Sequence, residues 1–120
     1  MNKKTLVIGA STNPERYSNK AVKALLSHNH KVVALGIKDG DIENIPIQKG
    51  FPEFEGVHTV TLYLGKQRQP EYYDYIINLQ PKRVIFNPGA ENPEFAEKLE
   101  QNNIEAMEAC TLVLLASNQF

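Results

Sequence analysis

With one cysteine, Cys110, the chain cannot close an intramolecular disulfide. That excludes a disulfide-stapled secreted scaffold and points to a reducing cytoplasm. Long apolar runs are missing too. Thr5–Ile8 and Leu112–Ala116 fall far short of the roughly 20 residues that a spanning helix needs. The first is also too short for a signal-peptide core, so Met1–Lys4 is not read as the start of one. No excess of either charge is present, because 13 basic residues face 14 acidic ones for a formal net charge of −1. A nucleic-acid binder normally shows a basic excess, so nucleic acid is not an expected partner. Nor is there a metal-ligand cluster, a Ser-His-Asp order or a Walker lysine motif. The expectation is a soluble cytoplasmic protein without membrane contact.

What is present is the balance of an ordinary globular domain, 42% apolar and 22% charged over 120 residues. Residues 1–120 are expected to form one domain. Lys4-Thr5-Leu6-Val7-Ile8-Gly9 is a β-branched, apolar run stopped by glycine, the pattern of a buried parallel strand. A loop follows, and Ser18 is the expected cap of a helix running to about Asn29. His30 to Gly36 repeats the strand-to-glycine pattern. The segment 37–58 holds several glycines and prolines, and predicts only a short extended piece at Pro46-Ile47 and one helical turn at Pro52–Glu55.

Thr59–Leu64 then reads as the third strand, Pro70–Leu79 as a helix with proline in its first turn, and Lys82–Phe86 as the fourth strand. Asn92 is placed to cap a helix over 93–101. Ile104–Met107 reads as the fifth strand, and Cys110–Ala116 as a last helix. Strands alternating with helices predict a Rossmann-type α/β fold, an open parallel sheet of about five strands with helices on both faces. The expected order is 3-2-1-4-5, with the switch point between strands one and four. On that topology two loops face the crevice, Gly9–Arg16 and Asn87–Asn92.

Gly9-Ala10-Ser11-Thr12-Asn13 joins a buried strand to a helix, offering backbone N–H groups, short polar side chains and a helix N-terminus. Such a loop can hold a phosphate, although a small-residue turn is needed at any strand-to-helix connection. The later glycines of the GxGxxG fingerprint are absent, with Ser11 and Pro14 in their places. Arg16, Lys20 and Lys38 are candidate phosphate partners. A nicotinamide dinucleotide site would want an acid at the end of strand two. Here Lys38 stands there, and Asp39 comes one residue later.

Gly9-x-Ser11-x-x-Pro14-x-Arg16-x-Ser18, Phe86-Asn87-Pro88-Gly89-Ala90-Glu91-Asn92 and Glu108-Ala109-Cys110 occur in that order along the chain. Together they resemble the small bacterial CoA-binding proteins, stand-alone Rossmann domains related to the CoA-binding domain of succinyl-CoA synthetase α subunits. The resemblance covers essentially the whole chain. It implies CoA or an acyl-CoA as ligand, with Gly9, Ala10, Ser11, Thr12 and Asn13 at the pyrophosphate. It further implies Lys38 near the 3′-phosphate, and Asn87, Pro88, Gly89 and Glu91 bordering the cleft.

Cys110 is a possible nucleophile by type, but reads first as a small packed residue. His28, His30 and His58 all fall at the starts of strands, away from the crevice. Glu91 and Glu108 are carboxylates expected near it, with helix capping as their simpler role. Binding therefore takes precedence over catalysis. An NAD(P)-dependent enzyme or accessory subunit stays open as an alternative. So does a ligand-free homodimer, using the tyrosines at 72, 73 and 75.

Overall fold

The computed structural model describes residues 2–120. Seven strands form one sheet in the order β3-β4-β2-β1-β5-β6-β7. They are β1 (Thr5–Ile8), β2 (Val32–Leu35), β3 (Asp41–Ile42), β4 (Ile45–Gln48), β5 (Thr59–Leu62), β6 (Arg83–Phe86) and β7 (Glu105–Glu108). All neighbours pair in parallel except β3 and β4, which form an antiparallel hairpin. Its two-residue turn places Glu43 and Asn44 at φ of 48° and 70°, the positive values that a tight hairpin requires.

The helices are α1 (Tyr17–Ser27), α2 (Tyr73–Leu79), α3 (Pro93–Gln101) and α4 (Thr111–Ala116). Because β1, β5 and β6 are buried on both faces, each must be covered twice. Leu6, Ile8, Val60, Leu62, Val84 and Phe86 point to one face and pack with Ile76 of α2 and Phe95 and Leu99 of α3. Val7, Val32 and Ala34 point to the other and meet Val22 and Leu25 of α1 and Leu115 of α4. Among the described residues no helix is long and apolar enough to cross a membrane.

The sequence pattern is corrected in strand order and in local detail. Ile45–Gln48 is a full strand beside β2, so it takes the third place in the parallel sheet. The strand at Thr59–Leu62 consequently pairs with β1 (Thr5 opposite Thr59, Ile8 opposite Leu62) instead of lying beyond β2. The sheet thus has seven strands instead of about five, and the switch point lies between β1 and β5. The second correction is local. Ser18 is buried one residue inside α1, and Arg16 is the boundary residue, with no side-chain cap. Two single 3₁₀ turns, Lys66–Arg68 and Pro70–Tyr72, lead into α2, and no helical turn forms at Pro52–Glu55. Asn92 does cap α3, its Oδ1 accepting from Phe95 N at 3.2 Å.

Candidate ligand-binding site

At the carboxyl end of the sheet, over the switch point, lies an open cavity of about 580 Å³. Three connections build its walls. The β1–α1 loop contributes Gly9, Ala10, Ser11, Thr12, Glu15 and Arg16, and the first residues of α1 add Tyr17 and Ser18. The turn after β2 contributes Gly36, Ile37 and Lys38, and the connection from β5 to α2 contributes Tyr63, Leu64, Arg68 and Tyr72.

Two glycines let these connections close on one another. Gly9 has φ +95°, and a Cβ there would lie 2.7 Å from the Tyr63 carbonyl oxygen. At Gly36 a Cβ would lie 2.4 Å from the Ala10 oxygen and 2.8 Å from Ile47 Cγ2. Gly9 N–H and Ala10 N–H both donate to the Leu35 carbonyl, at 3.0 and 2.8 Å, which fastens the loop to β2. The loop then stiffens itself. Asn13 N–H donates to Ser11 Oγ (3.1 Å), Glu15 N–H to Asn13 Oδ1 (2.9 Å), and Arg16 N–H to the Asn13 carbonyl (3.0 Å). Asn19, buried in α1, holds the Ser11 carbonyl at 2.9 Å. Among the described residues, the N–H groups of Ser11 and Thr12 donate to no protein acceptor.

Electrostatically the cavity is positive. Arg16, Lys38 and Arg68 line it, against the single carboxylate of Glu15. The one ion pair among the described residues is elsewhere, between Lys49 and Asp39 at 3.1 Å. All three cations are therefore exposed without a carboxylate partner. Asp39, which a nicotinamide dinucleotide would need for its ribose, is engaged with Lys49 and lies outside the cavity wall.

Of the residues singled out from sequence, Gly9, Ala10, Ser11, Thr12, Arg16 and Lys38 line the cavity. Asn13 shapes the loop from behind. Asn87, Pro88, Gly89 and Glu91 do not border the cavity, contrary to the expected crevice, because β5 stands between β6 and β1. Asn87 is buried and cross-ties three elements. Its Nδ2 donates to Thr61 Oγ1 (2.6 Å) and the Leu62 carbonyl (2.9 Å), and its Oδ1 accepts from Thr111 N–H (2.9 Å). Glu91 accepts from Gly89 N–H at 2.9 Å, closing its own loop. This loop supports the site at one remove through buried Gln69, whose Nε2 donates to the carbonyls of Leu64 (2.9 Å) and Ala90 (2.7 Å).

The residues that sequence reasoning missed are chiefly those after β5. Their signal was topological. Once Thr59–Leu62 is placed beside β1, the segment following it must face the switch point. The tyrosines at 72, 73 and 75 are all half-buried against the α2–α3 core. Tyr73 stacks on Phe95 (centroids 4.2 Å apart), Tyr75 Oη donates to the Pro52 carbonyl (2.6 Å), and Tyr72 faces the cavity. Tyr63 is largely withdrawn from water, and burial pushes its phenol up to about 12. Its hydroxyl lies beside those of Thr61 and Thr111, which bond each other at 2.8 Å and offset part of that rise, but Oη itself makes no well-formed hydrogen bond. Cys110 is half-buried at the start of α4, while the three histidines belong to the opposite edge of the sheet.

A Rossmann-type α/β sheet with a cation-lined cavity over its switch point defines the class of protein. Residues 3–116 match the CoA binding domain, and the chain belongs to that family. A crystal structure of an uncharacterized protein superimposes with a TM-score of 0.98 at 46% identity, covering 100% of this chain and 99% of that one. A Thermus thermophilus protein gives 0.87 at 17% identity, over 99% of this chain and 91% of the other. A hypothetical protein from Pyrococcus horikoshii OT3 gives 0.86 at 22%, over 98% and 84%. These last two are likenesses of fold. No curated protein matches the chain.

Proposed function

We propose that the protein binds coenzyme A, free or acylated, in the cavity over the switch point. The observation that carries this reading is the pair of unused amides at Ser11 and Thr12, in the cavity wall beside the unpaired Arg16. Backbone donors without an acceptor next to a free guanidinium suit a diphosphate, which brings charge and acceptor oxygens together. Coenzyme A also carries a phosphate on its ribose, and Lys38 on the β2 side of the cavity is the cation for it. Arg68 supplies a third positive charge on the β5 side. Family membership supports the same ligand.

Isothermal titration against coenzyme A, dephospho-coenzyme A, NAD and NADP tests it. Coenzyme A is expected to bind, and dephospho-coenzyme A about tenfold more weakly, the loss of roughly one charge-assisted contact. Lys38→Ala should abolish that difference. Binding of NADP without binding of coenzyme A would sink the reading.

A further inference from the structure

We infer that this cavity selects thioesters of coenzyme A with an apolar acyl group, which lies on an aromatic ledge formed by Tyr72 and Phe51. The inference rests on the coenzyme A reading above and concerns the other end of that ligand. In open α/β sheets an extended nucleotide ligand crosses the switch point, its two halves on opposite sides of β1. Lys38 fixes the nucleoside half on the β2 side, so the sulfur end crosses to the β5–α2 connection. The wall there is built of Tyr63, Leu64 and Tyr72, with Arg68 its one charged side chain.

That wall continues beyond the cavity. The Phe51 ring stands 5.6 Å from the ring of Tyr72 and 5.3 Å from that of Tyr75. Its position is fixed from behind, because Tyr75 Oη donates to the carbonyl of the next residue, Pro52, at 2.6 Å. Phe54, two residues further, packs into the α2–α3 core. Phe51 is thus held against two rings, yet 54% of it is exposed. Single exposed apolar residues are ordinary. This one is contiguous with a tyrosine that already lines the cavity, and so extends its apolar wall past Tyr72. A free thiol gains little from such a surface. An alkyl chain gains roughly fourfold in affinity for each methylene withdrawn from water, before incomplete coverage is allowed for.

The test is calorimetric titration of the full chain with coenzyme A, octanoyl-coenzyme A and succinyl-coenzyme A, repeated on Phe51→Ala. Phe51 is a surface residue and its removal should leave the fold intact. Octanoyl-coenzyme A is expected to bind at least tenfold more tightly than coenzyme A. Phe51→Ala should erase most of that advantage while leaving the affinity for coenzyme A within twofold. Equal affinity for the free and octanoyl forms overturns the inference. So does an octanoyl advantage that survives Phe51→Ala, or a preference for the succinyl form, which would assign the wall to Arg68 and an acidic acyl group. Failure of all three ligands to bind removes the coenzyme A reading itself, a result distinct from equal binding.

Discussion

The loops after β1 and after β6 begin alike and end in opposite uses. Each leaves a buried parallel strand, carries a glycine at φ +95° (Gly9 and Gly89) and leads into a helix. In the β1 loop, polar groups are left over, namely the Ser11 and Thr12 amides and the Arg16 guanidinium. In the β6 loop they are consumed internally. Asn87 ties β5 to α4, Asn92 caps α3 and donates to Gln69 Oε1 (2.9 Å), and Glu91 closes on Gly89. Buried polar groups must find partners, so a loop enclosed by neighbours becomes bracing. A loop at the switch point can keep donors unspent, because water or a ligand can reach them. Strand order, more than local sequence, decides which loop is which.

The largest expected effect separates the two glycines. Gly9→Ala adds a strained positive φ and a contact of 2.7 Å with a backbone oxygen, whereas Gly89→Ala adds the same strain with nothing within 4 Å. Strain at one such residue costs about 1–3 kcal/mol, and overpacking a further 1–3. Gly9→Ala should therefore lose about 4 kcal/mol of stability in urea denaturation, and Gly89→Ala about 2. Equal losses would mean that the contact with Tyr63 relaxes freely.

Next comes a pair that exchanges the readouts. Asn87 is 2% exposed, and Asn87→Ala strips partners from the Leu62 carbonyl and the Thr111 amide. The expected cost is about 3 kcal/mol, since each buried group left unpaired costs about 1–3. Coenzyme A affinity measured on the folded fraction should hold. Arg16→Ala is the reverse, a stability change within about 0.5 kcal/mol and about tenfold weaker coenzyme A binding. If Arg16→Ala unfolded the protein and Asn87→Ala abolished binding alone, the division between the loops would be wrong.

Much of this was legible in the sequence. The β1 loop was marked by Gly9 after Thr-Leu-Val-Ile, and the cap at Asn92 by its place before Pro93. What failed was the order of strands, and for one reason. Ile45-Pro46-Ile47-Gln48 contains a proline and lacks a clean alternation, so only part of it read as extended. Near the sheet edge that proline is tolerated, as β4 receives an N–H from Gly36 and pairs beyond only with two-residue β3. Missing β4 put Thr59–Leu62 beyond β2 instead of on the other side of β1. With it went Leu64, Arg68 and Tyr72, and the β6 loop was put in their stead.

Tyr63 is where the two loops meet, its backbone against Gly9 and its hydroxyl beside the Thr61–Thr111 pair that Asn87 braces. The hydroxyl is buried without a partner, so Tyr63→Phe should stabilise the ligand-free protein by about 1 kcal/mol. The alkaline limb gives an independent reading. With the folded phenol raised to about 12 from an ordinary 10, the unfolded chain loses its proton first. Stability therefore falls between pH 10 and 12, and Tyr63→Phe should remove part of that fall, since burial raises Tyr75 to about 12 as well. A destabilised Tyr63→Phe would show that the hydroxyl has a partner after all.

The smallest effect lies away from both loops and tests whether they are independent of the sheet's other edge. His30 Nδ1 accepts the Lys3 N–H at 2.9 Å, which requires the neutral ring. His58 Nδ1 bonds Thr59 Oγ1 at 2.7 Å, and that oxygen also accepts from Arg83 Nε at 2.9 Å. Burial lowers both histidines, and nearby cations add to it: Lys3, His28 and Arg83 for His30, and Arg83, Lys3 and Lys82 for His58. Their folded-state values lie below the unfolded 6.5, so the unfolded chain takes up protons first on acidification. Stability should be full above about pH 6.5 and decline below it. The decline should be shallow, because both rings keep contact with solvent. His30→Gln should reduce the slope measured by urea denaturation between pH 5 and 7.5. Coenzyme A affinity of the folded protein should not follow that titration, since neither histidine lines the cavity. An affinity that tracked it would tie the amino edge to the β1 loop, and the separation drawn between bracing and binding would have to include the whole height of the sheet.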